Sequence, residues 1–307
     1  MYKNVLEVTN LTKKFGNFTA VNNISFNIKE GEILGFLGPN GAGKTTTIQM
    51  LLGVMDQSEG EIKYFGESFE KHRSAILKRI NFSSAYIDFP RLFTVEEILK
   101  FFAYLYEIPD KDKRIKKLLK EFEIEHLKKK PVNTLSAGER ARLLLTKAFL
   151  NYPELILLDE PTASLDPEIA VKIREFLKKE KKEYKVSILL TSHNMQEVEE
   201  MCDRVIFLNH GKIIAENSPE NLAKESSNTQ VELLVKDDVE KIKNYLNKKH
   251  FKFHKERSVF IIDVKEKDIS NLLTLLAQEK ISYQDISINK PNLEDYFLDI
   301  VGGNKND

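Results

Sequence analysis

The sequence predicts an α/β fold with a mainly parallel core sheet, followed by a small α+β domain. Three observations carry this expectation. Short apolar runs alternate with helical patterns through roughly residue 215, the order that parallel α/β sheets produce. The strongest strand candidates are continuously apolar, as strands covered on both faces are. After HGKIIAENSPENLAKESSN the composition turns polar, and with Pro219 this marks a boundary near residues 216–229. The expected domains are therefore 1–218, with a helical subdomain at about 90–150, and 229–307.

The elements follow in order. LEVTNLTKKF and AVNNISFNIKE alternate apolar and polar residues and read as antiparallel strands with one wet face. The parallel-sheet candidates are EILGFL (32–37), LILLD (155–159), VSILLTS (186–192) and RVIFLN (204–209). Residues 94–130 read as helical and highly charged, and Thr94 followed by Glu97 forms a capping box opening TVEEILKFFAYLY. The basic run KDKRIKKLLK (111–120) reads as a solvated helix face, given the Asp and Glu interleaved nearby. Beyond the boundary come strand VELLV, helix DDVEKIKNYLNKK, strands FKFHK and SVFIIDV, helix KDISNLLTLLAQ and strand ISYQDISI. That β-α-β-β-α-β order is ferredoxin-like.

Bulk properties narrow the function classes. A chain of 307 residues is long for one core, and 41% hydrophobic content suffices for packed interiors. The charged residues cancel to a formal net of zero, which disfavours a globally basic nucleic-acid binder. Cys202 is the only cysteine, so neither an intrachain disulfide nor a Cys-based zinc site is available. The N-terminal MYKNVLEVTNLTKKFG lacks an apolar signal region, and no apolar run reaches the length a bilayer span needs. A soluble chain of a reducing compartment is expected.

The chemistry begins at GPNGAGKT, Gly38 to Thr45, between the strand EILGFL and the helical TTIQMLLGV. This is the G-x-x-x-x-G-K-[ST] loop in its strand–loop–helix context, which points to a P-loop NTPase. Glycines let successive N–H groups turn inward as a nest for phosphate, and the helix N-terminus adds positive potential. The cradle spans Gly38, Pro39, Asn40, Gly41, Ala42, Gly43, Lys44, Thr45 and Thr46. Lys44 reaches the β- and γ-phosphates of ATP, and the Thr45 hydroxyl ligates Mg²⁺. In LILLDEP, Asp159 and Glu160 emerge at the C-terminal end of a buried strand, where such sheets present ligand groups. Asp159 suits a Mg²⁺ or Mg-water contact, and Glu160 suits the base that polarises an attacking water. In LSAGER, Ser136 and Glu139 form a second capping box. Gly138 beside that serine also makes an anion site without a lysine, so two copies arranged head-to-tail could each cover the other's nucleotide.

Together these residues resemble the ATP-binding cassette (ABC) ATPase family over about residues 5–215. GPNGAGKT resembles Walker A, LSAGE the signature and LILLDE Walker B. ASLD (163–166) resembles the D-loop, and His193 in TSHN the switch histidine. The resemblance implies Phe15 under adenine, and Ser136 and Gly138 against the partner copy's γ-phosphate. It also implies Asp166 coupling two sites and His193 at the γ-phosphate. Alanine stands at Ala137 where the family usually has glycine, and Glu139 replaces glutamine. The stretch INFSSAYIDFP (80–90) is similar to the strand that ends in the family's Q-loop glutamine, but Ala85 stands at that place. Ser83 or Ser84 then inherits the polar duty, or it is lost. Tyr86, Phe89 and Phe93 are either permease contacts or packing residues. PNLEDYFLDIVGG (291–303) is similar to the ending of exporter cassettes and also reads as a docking helix, with Leu293, Phe297 and Ile300 on one face.

The resemblance implies an ATP-hydrolysing exporter subunit, cytoplasmic and held at the inner face of the membrane by a separate integral-membrane permease, with no nucleic acid bound. A soluble ABC ATPase acting on ribosomes or nucleic acid is the alternative. Against it, this chain has one P-loop and no long coiled-coil insertion.

Overall fold

The computed structural model describes residues 3–84, 87, 89–90, 92–225, 229–236, 238–265 and 268–303. The chain separates into two compact units, Met1–Pro219 and Glu220–Asp307.

In the first unit the strands are β1 (Asn4–Phe15), β2 (Phe18–Lys29), β3 (Ile33–Leu37), β4 (Glu59–Tyr64), β5 (Glu67–Ser68), β6 (Ile80–Ser84), β7 (Leu155–Asp159), β8 (Ser187–Thr191), β9 (Arg204–Asn209) and β10 (Lys212–Asn217). Its helices are α1 (Lys44–Leu51), α2 (Phe69–Leu77), α3 (Val95–Leu105), α4 (Lys111–Glu121), α5 (Ala137–Ala148), α6 (Pro167–Tyr184) and α7 (Met195–Met201), and α8 (Pro219–Glu225) follows. One sheet runs β10-β9-β3-β8-β7-β6, parallel except for the edge strand β10. Every residue of β3 and β8 is buried, which explains why their sequences show no alternation. The second sheet runs β2-β1-β4-β5 and is antiparallel. One apolar core joins the two, with Leu6, Leu11 and Val21 packed with Phe36, Leu51 and Leu208. Each such side chain contributes about 1.5–3 kcal/mol of burial.

The expected capping boxes form at both helices. Thr94 Oγ1 accepts from Glu97 N while Glu97 Oε2 accepts from Thr94 N. Along α3, Val95, Ile98, Leu99 and Ala103 face inward, while Phe101, Tyr104 and Leu105 remain exposed. α4 departs from the fully solvated face expected of KDKRIKKLLK. Its lysines stay outside, but Arg114 is buried beside Ile115, Leu118 and Leu119.

The second unit holds β11 (Thr229–Leu234), α9 (Val239–Lys248), β12 (Lys252–Glu256), β13 (Val259–Val264), α10 (Ile269–Gln278), β14 (Asp285–Asn289) and α11 (Leu293–Gly303). Its sheet order, β12-β13-β11-β14 with every pair antiparallel, is the ferredoxin-like arrangement. Val231, Leu233, Phe260, Ile262, Leu246 and Leu272 form the core. The last strand starts later than ISYQDISI suggests, because Ile281 N donates to Leu276 O at the end of α10 and Ser282 N to Asp238 Oδ2. Among the described side chains of α11, Leu293 and Tyr296 are buried, with Phe297 and Ile300 only half-buried.

Candidate nucleotide site

The site gathers at the C-terminal ends of β3, β7 and β8, with β6 alongside. After β3 the chain turns through Gly38 (φ 148°) and Gly43 (φ 103°) into α1. A Cβ on Gly38 would lie 2.2 Å from Leu208 O, and one on Gly43 2.6 Å from Ala20 O. Only glycine fits these two positions. Gly43 caps α1 without any side-chain bond, and the first turn of α1 carries no acid. That leaves the helix start electropositive with donors uncommitted to side chains. The Lys44 ammonium lies over the loop, donating to Gly38 O and to Pro39 O (3.1 Å). Burial pushes its pKa down, while the Glu160 and Asp159 carboxylates hold it up. Thr45 is exposed and Thr46 half-buried, with Thr47 beneath them bonded to Gly43 O. Asn40 and Gly41 form the exposed crest, Pro39 is half-buried, and Ala42 is buried.

Asp159 ends β7 and is fixed from both neighbouring strands. Ser84 Oγ donates to its Oδ2 at 3.0 Å and Thr191 Oγ1 to its Oδ1 at 2.7 Å. The register explains this, since Ser84, Asp159 and Thr191 are laterally aligned. Glu160 then leaves the strand in a left-handed conformation (φ 53°) that is costly for a residue with a Cβ. Its N–H donates to Thr191 O and Oγ1, each at 3.2 Å. Its carboxylate lies 3.3 Å from His193 Nε2 and accepts from His193 N at 3.3 Å. Burial pushes the Glu160 pKa up, and His193 pulls it partly back. The two acids diverge because β7 ends at Asp159 and the backbone turns at Glu160.

Two residues that the sequence does not single out complete the setting. Thr191 holds both Asp159 and the Glu160 backbone. Glu197, buried in α7, accepts from Thr162 Oγ1 and Ser192 Oγ at 2.8 Å each, tying the turn after β7 to the turn after β8. A lateral hydroxyl–carboxylate pairing leaves no trace in linear spacing.

The remaining predicted residues stand apart from this cluster. Ser136 caps α5, accepting from Glu139 N, while Glu139 Oε2 accepts from Ser136 N. Lys130 pairs with Glu139 at 3.2 Å. Gly138 faces the D-loop stretch, where a Cβ would meet Ser164 O at 3.2 Å. Asp166 is the exposed N-cap of α6, with Pro167 in the first turn. Phe15 is exposed at the tip of the β1–β2 hairpin, opposite Phe18, with Lys13 Nζ 5.3 Å from its ring. Ala85 and Tyr86 lie outside the described residues. Phe89 is buried edge-on against Phe102, which makes it a packing residue, whereas Phe93 is exposed next to Leu92.

Among the described residues no cluster of three or more His, Cys, Asp or Glu is arranged to hold a metal, and no helix is long and apolar enough to cross a membrane. The sequence matches the ABC transporter family over residues 21–163. It is 33% identical to the bacitracin transport ATP-binding protein BcrA of Bacillus licheniformis, covering 97% of this chain and 98% of that one. It is 34% identical to the Nod factor export ATP-binding protein I of Ralstonia nicotianae, over 79% of this chain and 76% of that one. The fold superimposes with a TM-score of 0.65 on a dimeric, post-hydrolysis ATP-binding cassette bound to ADP and Pi. That match is 27% identical and covers 69% of this chain and 98% of the other. With its P-loop, its paired acids and relatives along nearly its whole length, this chain belongs to the ABC transporter ATP-binding proteins and carries their ATPase cassette.

Proposed function

We propose that the chain is the motor subunit of an ABC exporter, in which two copies sandwich ATP head-to-tail and drive a separate membrane permease. It would work in the cytoplasm, held at the inner face of the membrane by that permease. Relatives named for bacitracin transport and Nod factor export support transport, and the dimeric cassette supports pairing of two copies. The observation that carries hydrolysis is the divergence of Asp159 and Glu160, one locked by two hydroxyls and the other turned toward His193.

Bound Mg-ATP supplies a γ-phosphoryl group whose transfer to water needs positioning and charge stabilisation rather than a covalent intermediate. The loop N–H groups from Gly38 to Thr46 orient the phosphates. Lys44 exchanges its carbonyl partners Gly38 and Pro39 for phosphate oxygens. Thr45 and Asp159 would hold Mg²⁺, and they fit. Each Asp159 oxygen accepts one hydroxyl bond and keeps a lone pair, and Mg²⁺ commonly takes only one or two protein oxygens beside phosphate and water. Glu160 polarises the lytic water and takes its proton, helped by burial that makes it more basic than a free carboxylate. His193 reads the γ-phosphate, Phe15 stacks under adenine, and Ser136 and Gly138 reach the nucleotide of the opposite copy. Asp166 couples the two sites. Ser84, already on Asp159, takes the polar duty of the missing glutamine, and Phe93 with Leu92 offers the permease-facing surface.

Glu160→Gln is expected to keep ATP binding while lowering turnover roughly 100-fold or more. In the unsubstituted protein the acid limb of the rate profile should lie above the ordinary carboxylate range, because activity is lost as pH falls through the raised pKa. Undiminished turnover in Glu160→Gln would remove the glutamate from the reaction.

A further inference from the structure

A cavity of about 370 Å³ opens at the N-terminal ends of the parallel strands β3, β7 and β8. It is lined by Glu30, Glu154 and Val186, which precede β3, β7 and β8, and by side chains of α4 and the last turns of α6. The P-loop, Asp159 and Glu160 lie at the opposite ends of those strands, so this cavity is not part of the nucleotide site.

Two opposite charges are buried in its wall, Arg114 from α4 at 7% exposure and Glu180 from α6 at 9%. They are near enough to influence each other's titration, yet they form no salt bridge. Arg114 spends Nη2 on Phe149 O and lays its guanidinium 3.8 Å from the Tyr152 ring centre, and its Nε finds no partner among the described residues. Among the described residues nothing donates to the Glu180 carboxylate, and burial pushes its pKa up. Tyr152, Pro153 and Tyr184 supply apolar walls, and Lys117 Nζ stands 5.7 Å from the Tyr184 ring.

Buried charges are normally paired with each other, because an uncompensated one is costly to desolvate. Here the two border the same space without coming within ion-pairing distance of each other. A single occupant that satisfies both must carry an anion at one end and a cation at the other, and flat aromatic walls favour a flat apolar body between them. The volume falls within the range of small-molecule sites. We propose that this cavity binds a zwitterionic α-amino acid with an aromatic or apolar side chain. Its carboxylate meets Arg114 and Lys117, its ammonium meets Glu180, and its side chain lies between Tyr152 and Tyr184.

The test is calorimetric titration of the full chain with L-phenylalanine, beside N-acetyl-L-phenylalanine, which lacks the ammonium, and L-phenylalaninamide, which lacks the carboxylate. Saturable binding in the millimolar range is expected for so small a ligand. Each blocked analogue should bind at least about 10-fold more weakly. Glu180→Gln should lose the same factor while still binding ATP, which shows that it is folded. Lys117→Ala, on the exposed side of α4, should weaken binding a few-fold. The proposal is overturned by heats of dilution alone, which would mean the cavity holds only water. Equal affinity for the analogues, or an undiminished Glu180→Gln, overturns it as well.

Discussion

Two helix starts in the first unit carry the family's phosphate motifs, and they are built in opposite ways. α1 begins at a left-handed glycine, has no side-chain cap and no acid in its first turn, and is followed at once by Lys44. α5 begins at a serine that is fully engaged in a capping box, with Glu139 in its first turn neutralised by Lys130. The first end is open to an anion from its own chain. The second is already satisfied, with its capping hydroxyl and its first-turn carboxylate both engaged within the chain. In the head-to-tail arrangement proposed above, α1 would bind phosphate alone, whereas α5 would contribute only when a second copy presses a nucleotide already held by its own P-loop against Ser136 and Gly138.

The comparison breaks most visibly at Lys44. Lys44→Ala should abolish the open end, with ATPase activity falling roughly 100-fold and nucleotide affinity falling with it, as equilibrium dialysis would record. Ser136→Ala should act differently. Loss of the cap costs about 1 kcal/mol of stability, read as a lower Tm, and ATPase falls about 10-fold while the affinity of the isolated chain for ATP stays unchanged. Weakened binding by the isolated chain would place Ser136 in its own chain's site instead.

The smallest effect concerns the other end of α5. Lys147 is buried there with no carboxylate partner among the described residues, donating to Asn81 Oδ1 at 2.8 Å and lying about 5 Å from the Phe82 and Phe102 rings. Burial pushes its pKa down to about 8. The folded state therefore gives up this proton at lower pH than the unfolded state, which binds more protons from about pH 8 upward, so stability rises with pH there. Cys202, whose thiol burial pushes up, opposes this as pH approaches 9. Relative to Lys147→Met, the unsubstituted protein should gain about 1 kcal/mol between about pH 8 and 9, a relative Tm rise of about 2–4 °C. Parallel pH dependence in the two proteins would mean that Lys147 does not titrate in this window.

These contrasts also mark where the sequence is legible. The P-loop, the paired acids and both capping boxes read directly, because each is a local pattern whose parts lie within a few residues. Ser84 and Thr191 on Asp159 depend on the lateral register of three strands far apart in the chain, which local patterns do not contain. The left-handed Glu160 is likewise a product of the surrounding fold. Arg114 hides among lysines that are solvated, since helical periodicity gives a face but does not tell a paired surface cation from a buried one. Phe89 and Phe93 are similar in sequence context, and only packing separates the buried ring from the exposed one.

The most direct test is to mix Lys44→Ala protein with Ser136→Ala protein and measure ATPase activity. In a head-to-tail pair, one of the two sites then combines an intact P-loop from one copy with an intact signature helix from the other. Activity is expected well above the mean of the two separate variants, approaching roughly a quarter of the unsubstituted rate if copies exchange freely. Activity no higher than that mean would contradict the head-to-tail pairing and place both helix starts at work within a single chain.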